Sequence, residues 1–230
     1  MLKAVNPTEK NKRNSCLYLL IGLIGLLLAQ PFFLHTEEIG RIMLSAFIFV
    51  VLLAGLFAIR AKKRDFVIAL LFGGPAFIGT FISVFFENAL LGAISLGLVV
   101  FFLGFTTGSI LAYVLGTGKV TMDKLFGSAC VYLLIGLTFA ALFMMILQFQ
   151  PDAVRVSGEN EQIIVFSDLV FFSFTTLTTL GYGDITPISA HARTLAAMEA
   201  VTGVLFLALL IARLVALYTT YARDEASPNS

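Results

Sequence analysis

Charge is what this sequence has least of. Only 13% of its 230 residues are Asp, Glu, Lys or Arg, about half the share carried by a soluble globular domain, and the formal net charge is +1. Fifteen Lys and Arg scattered through short loops make no basic surface able to neutralise phosphates, which argues against a nucleic-acid partner. Cysteine is nearly absent too. Cys16 and Cys130 lie at or inside apolar segments, with no C-x-x-C and no Cys/His cluster beside them. Neither a disulfide framework nor a zinc site is suggested, and both read as small core hydrophobes.

What the sequence has is apolar bulk: 59% hydrophobic residues, 23 of them Phe, and a mean hydropathy of +0.97. That composition predicts an integral membrane protein. A spanning helix needs about 20 apolar residues, and six runs qualify: roughly 16–34, 42–59, 66–86, 89–115, 127–149 and 192–221. The first follows "KAVNPTEKNKRNSC"; it is longer than a signal-peptide core and lacks an A-x-A site, so it reads as a span. All six are expected to be helices, because lipid offers backbone groups no partners. A seventh stretch, "IIVFSDLVFFSFTTL" (163–177), is too short and too polar to span.

Basic residues set the orientation. With the N-terminus inside, Lys3, Lys10, Lys12, Arg13, Arg60, Lys62, Lys63, Arg64, Lys119, Lys124 and Arg223 are inside and only Arg41, Arg155 and Arg193 outside; Arg213 lies within the last span. Both termini are then cytoplasmic. "RAKKR" (60–64) reads as a topology anchor or a contact for anionic membrane lipids. The basic linker "GTGKVTMDK" (116–124) divides the chain into a four-helix unit, 1–118, and a second unit, 119–221. "ARDEASPNS" (222–230) reads as a short cytoplasmic tail, with no ligand-binding domain expected there.

The second unit has a particular order: helix 127–149, polar loop 150–162, the short segment 163–177, "TTLGYGD" (178–184), then helix 192–221. A segment that enters and leaves on one side is re-entrant, and non-helical backbone at that depth is tolerated only beside protein or a water-filled path. Here the sequence resembles the pore domain of tetrameric potassium channels, whose T-x-x-T-x-G-Y-G-D signature is matched by Thr176, Thr179, Gly181, Tyr182, Gly183 and Asp184. The resemblance implies an all-α membrane protein of six transmembrane helices, with a re-entrant pore helix and a selectivity filter between helices 5 and 6. It also implies that Thr179, Leu180, Gly181, Tyr182 and Gly183 form the filter. K+ would bind through Thr179, Leu180, Gly181 and Tyr182, whose oxygens replace its water shell. Glycine at 181 and 183 tolerates backbone angles that a Cβ resists. Thr176, Thr178 and Asp184 would support the filter, and Tyr182 would pack against the pore helix.

This sequence departs from the family at Leu180, where Val or Ile is usual, and at Phe171 and Phe172, which replace a tryptophan pair and its indole donors. Gly203 occupies a hinge-glycine position, or serves close helix packing. Val204, Leu207 and Ile211 share a face below it and are a candidate gate. Ser167 and Asp168 suit the N-terminus of the pore helix. Glu199, the one acid within the final span, is expected to brace the back of the pore helix through hydroxyl or backbone donors, as a carboxylate or a protonated acid; the alternative is a water-filled crevice.

A six-helix channel invites a voltage sensor, yet the fourth span (89–116) has no basic residue, so weak or absent voltage gating is expected. A ring around an ion needs four filter strands, hence a homotetramer. The expected function is passive K+ conduction, not enzymatic, with potassium as permeant ion and no cofactor, in the plasma (inner) membrane. A potassium-uptake transporter pore and a non-conducting or regulatory subunit remain open alternatives.

Overall fold

The computed structural model describes residues 15–29, 63–85, 89–116, 121–157 and 164–226. In chain order these form α1 (Ser15–Ala29), α2 (Lys63–Phe85), α3 (Ala89–Leu115), α4 (Met122–Phe149), a 3-10 turn at Pro151–Ala153, β1 (Val154–Val156), α5 (Phe166–Leu177), β2 (Ile185–Pro187) and α6 (Ala190–Ala226). Among the described residues, three helices are long and apolar enough to cross a bilayer: Leu90–Leu115, Met122–Phe149 and Ala190–Arg213. The apolar parts of α1 and α2, Cys16–Ala29 and Val67–Ile82, are shorter. The expected span 42–59 lies outside the described residues.

α4 is the hub, packed against α1, α3, α5 and α6. Cys130, Val131, Leu134, Leu137, Ala140, Ala141 and Phe143 on it are sealed from solvent, and alternating small and large residues let neighbouring backbones close in. Around them gather Leu19 and Leu23 of α1, Phe102 and Leu103 of α3, and Leu169 and Phe172 of α5 in one apolar cluster. α4 has defined ends. Thr121 Oγ1 accepts the Lys124 N–H at 3.3 Å at its start, and the Gln150 N–H reaches Ile146 O at 2.8 Å at its finish. Pro151 then stops the helix, having no N–H to continue it.

Asp123, in the first turn of α4, is buried. Its Oδ1 accepts the Cys16 N–H at 3.0 Å, capping α1 from another helix, and its Oδ2 accepts the Tyr113 hydroxyl of α3 at 2.9 Å. Three helix ends meet on one carboxylate. Both cysteines are free and buried, with the Cys130 thiol donating to Cys16 O at 3.3 Å.

The all-helical expectation needs one correction. β1 and β2 pair antiparallel, with Val154 opposite Pro187, Arg155 opposite Thr186 and Val156 opposite Ile185. The V-R-V and I-T-P runs are too short for a helix, and pairing satisfies their backbone groups at the end of the bundle where α5 begins.

Candidate ion pathway and its supports

α5 begins at Phe166, one residue ahead of the Ser167–Asp168 pair expected at its N-terminus. Its N-cap is Val165; Asp168 Oδ2 accepts the Val165 N–H at 3.0 Å, while the Ser167 hydroxyl is buried without a partner. Asp168 therefore does the capping, and Ser167 does not. On one flank Phe172 meets Phe143 edge to face, centroids 4.9 Å apart. On the other, Phe171 lies parallel to Tyr182, at 6.0 Å and 3°. Ring stacking stands where indole hydrogen bonds would have braced the tyrosine.

The chain turns out of α5 on its own carbonyls. The Thr178 N–H returns to Phe174 O at 3.1 Å, the Thr179 N–H to Thr176 O at 2.9 Å, and the Leu180 and Gly181 N–H groups to Thr175 O at 2.8 and 3.1 Å. The Thr178 hydroxyl adds a bond to Phe174 O at 2.7 Å. The last turn of α5 is thereby fastened to the start of 179–183. Within that segment Thr179, Gly181 and Gly183 have φ of 59°, 53° and 83°, and the intervening Leu180 and Tyr182 are not left-handed. A β-branched residue at positive φ is an outlier that folds keep at functional sites.

Residues 179–184 are exposed throughout in a single chain; Leu180 is 57% exposed and Tyr182 67%. At the far end, Asp184 Oδ1 accepts the Ile185 N–H at 2.9 Å. Ser157, just after β1, donates its amide to Asp184 O at 2.7 Å and its hydroxyl to Gly183 O at 3.2 Å. Nothing in the polar loop 150–162 had marked Ser157 as a partner of this segment.

α6 closes the arrangement. The Ser189 hydroxyl caps it by accepting the Ala192 N–H at 3.1 Å. Glu199 is completely buried, and its Oε1 is hydrogen-bonded to the hydroxyl of Ser173 on α5. Ser173 Oγ also lies 2.6 Å from the Gly136 carbonyl of α4.

A family model described as "Ion channel" matches residues 131–220, the stretch from α4 through α6. Protein LctB of Bacillus caldotenax is 33% identical over 103 residues, covering 43% of this chain and 75% of that protein. The chain belongs to the ion channel family. The inward rectifier potassium channel Kirbac3.1 of Paramagnetospirillum magnetotacticum is 41% identical over 61 residues, 26% of this chain and 21% of that protein. No solved structure matches.

In this ion channel, Gly203 sits where α6 crosses the end of α5. It is buried, and a Cβ there would overlap Leu177 O. α6 runs through it without interruption, with its backbone in close approach to Leu177. Val204, Leu207 and Ile211 are 53%, 43% and 60% exposed in a single chain. Further along, Arg213 Nη2 donates to Gly116 O at 2.9 Å, the carbonyl that the Lys124 ammonium also takes at 2.9 Å. The distal half of α6 is thus tethered to the end of α3.

Proposed function

We propose that four copies of this chain form a potassium-selective channel, conducting passively through a passage lined by Thr179, Leu180, Gly181, Tyr182 and Gly183, and weakly or not voltage-gated. The observation that carries this reading is the alternation of left-handed φ at Thr179, Gly181 and Gly183. Alternating handedness turns successive peptide planes the same way, which lines carbonyl oxygens along one side of the strand. Such a row can stand in for the hydration shell of a cation.

The exposure of 179–184 in one chain supports assembly, since non-helical backbone cannot face lipid and must be closed off by neighbours. A four-fold ring supplies both the closure and the remaining oxygens. The similarity over 61 residues to a protein named as an inward rectifier potassium channel supports the choice of ion. Val204, Leu207 and Ile211 are the proposed constriction. The proposed setting is the plasma or inner membrane with both termini cytoplasmic, on the distribution of basic residues.

The test is flux and reversal potential in liposomes containing only the purified chain. The reversal potential should follow the K+ gradient when Na+ opposes it. Equal permeability to the two ions, or no flux, would overturn the reading.

A further inference from the structure

Ser173 stands on the back of α5 with one hydroxyl facing two oxygens. Its Oγ lies 2.6 Å from the Gly136 carbonyl and in hydrogen-bond contact with Glu199 Oε1, and both Ser173 and Glu199 are fully buried. A serine hydroxyl has one proton to give, and a carbonyl has none. If Ser173 donates to a Glu199 carboxylate, two bare oxygens face each other across the contact with Gly136. If it donates to Gly136, a carboxylate oxygen meets the lone pairs of the hydroxyl. Both contacts become bonds only when Glu199 brings a proton of its own.

The rest of the carboxyl group agrees. Oε2 is buried with no partner, a small penalty for a neutral oxygen and a severe one for an anion. The titratable group facing it from α4 is the Tyr132 phenol, whose hydroxyl points to Leu177 O at 3.5 Å and supplies no positive charge. On α5 the titratable side chain is Asp168, which is engaged at the start of that helix with the Val165 N–H. On α6, Arg193 is about 1.7 turns away along the helix with its guanidinium on Pro187 O, and His191 and Arg213 lie more than two turns away.

We propose that Glu199 is a neutral carboxylic acid that donates to Ser173 while Ser173 donates to the Gly136 carbonyl, so that one proton ties α6 to α4 through the back of α5. Glu199 is a positioning residue. Ser173 is within one turn of Thr175 and Thr176, whose carbonyls hold the amides of Leu180, Gly181 and Thr179, so loosening the relay loosens the root of that segment. This consequence rests on the filter reading above, whereas the protonation does not.

Infrared difference spectra of the purified wild-type protein against Glu199→Gln test it at neutral pH. The expected result is a carboxylic-acid carbonyl band in the wild type, lost in Glu199→Gln and shifted in Ser173→Ala, which removes its partner. An amide N–H can replace the acid proton, so Glu199→Gln should keep wild-type ion selectivity and heat resistance, and Glu199→Ala should lose both. Absence of the band, or a Glu199→Gln variant as impaired as Glu199→Ala, would overturn the proposal. The band is read whether or not the protein conducts, so its absence with selective flux intact faults the relay alone. Its presence with non-selective flux faults only the filter reading.

Discussion

Ser157 holds Gly183 from outside the segment that Gly183 belongs to, its hydroxyl donating to the Gly183 carbonyl at 3.2 Å. The β1–β2 ribbon brings the two together by fixing Val156 opposite Ile185. The far end of 179–184 is therefore fastened to the loop leading into α5, while its near end is fastened to α5 itself.

Removing this outer fastening should destabilise the conducting state modestly. Ser157→Ala deletes one neutral hydrogen bond, roughly 0.5–1.5 kcal/mol, a few-fold change in the fraction of time spent conducting. Ser157→Pro removes the amide bond to Asp184 as well and should act more strongly. Steady-state current and its decay during prolonged opening are the measurements. A proline variant whose current persists like wild type would mean that the ribbon does not stabilise the pathway.

Gly203→Ala distinguishes packing from hinging. A Cβ at 203 would collide with Leu177 O and crowd the Leu177 side chain, and overpacking a tight contact costs about 1–3 kcal/mol. The expected result is a lower Tm of the purified protein together with altered conduction, because Leu177 adjoins Thr178 and Thr179. A variant with unchanged Tm and altered gating kinetics alone would assign Gly203 to bending rather than to close approach.

Asp123 should matter for stability far from the pathway. Asp123→Ala strands the buried Cys16 N–H and releases the Tyr113 hydroxyl of a half-exposed side chain, and the unsatisfied buried donor costs roughly 1–3 kcal/mol. Tyr113→Phe removes one donor together with half the demand on the carboxylate and should cost less. Thermal unfolding of the two variants in detergent checks the order; equal Tm values would show that the three-helix junction contributes little.

The parts that were legible in the sequence are those where chemistry restricts residue choice sharply. Glycines at 181 and 183 announce left-handed backbone, and a lone acid at 199 in an apolar run announces a buried polar contact; its partner is a hydroxyl of α5, Ser173. Long apolar runs gave α3, α4 and α6 to within a few residues. What could not be read depends on partners remote in the chain. Asp123 looks like an ordinary first-turn acid until α1 and α3 are docked on it. Ser157 looks like loop until β1 finds β2, and Ser167 looks like a cap although Asp168 alone reaches the free amide. The left-handed φ of Thr179 is invisible because threonine disfavours it; the α5 carbonyls that bind the following amides impose it.

Arg213 links two questions, gating and voltage. Its guanidinium ties α6 to Gly116 at the end of α3, and the proposed constriction at Leu207 and Ile211 lies within two turns of it. A charge-assisted hydrogen bond contributes about 1.5–3 kcal/mol, so Arg213→Gln, which keeps a weaker neutral donor, should shift the balance of open and closed states by roughly tenfold for each 1.4 kcal/mol lost. The voltage response should not change with it. Each charge that crosses the field is worth about 2.3 kcal/mol per 100 mV, and α3 carries none, so the conductance–voltage relation should be shallow in both proteins and only its amplitude should differ. Recording both in planar bilayers over a range of potentials decides the matter. A steep wild-type curve that flattens in Arg213→Gln would make Arg213 itself a moving charge and overturn the view of it as a fixed tether.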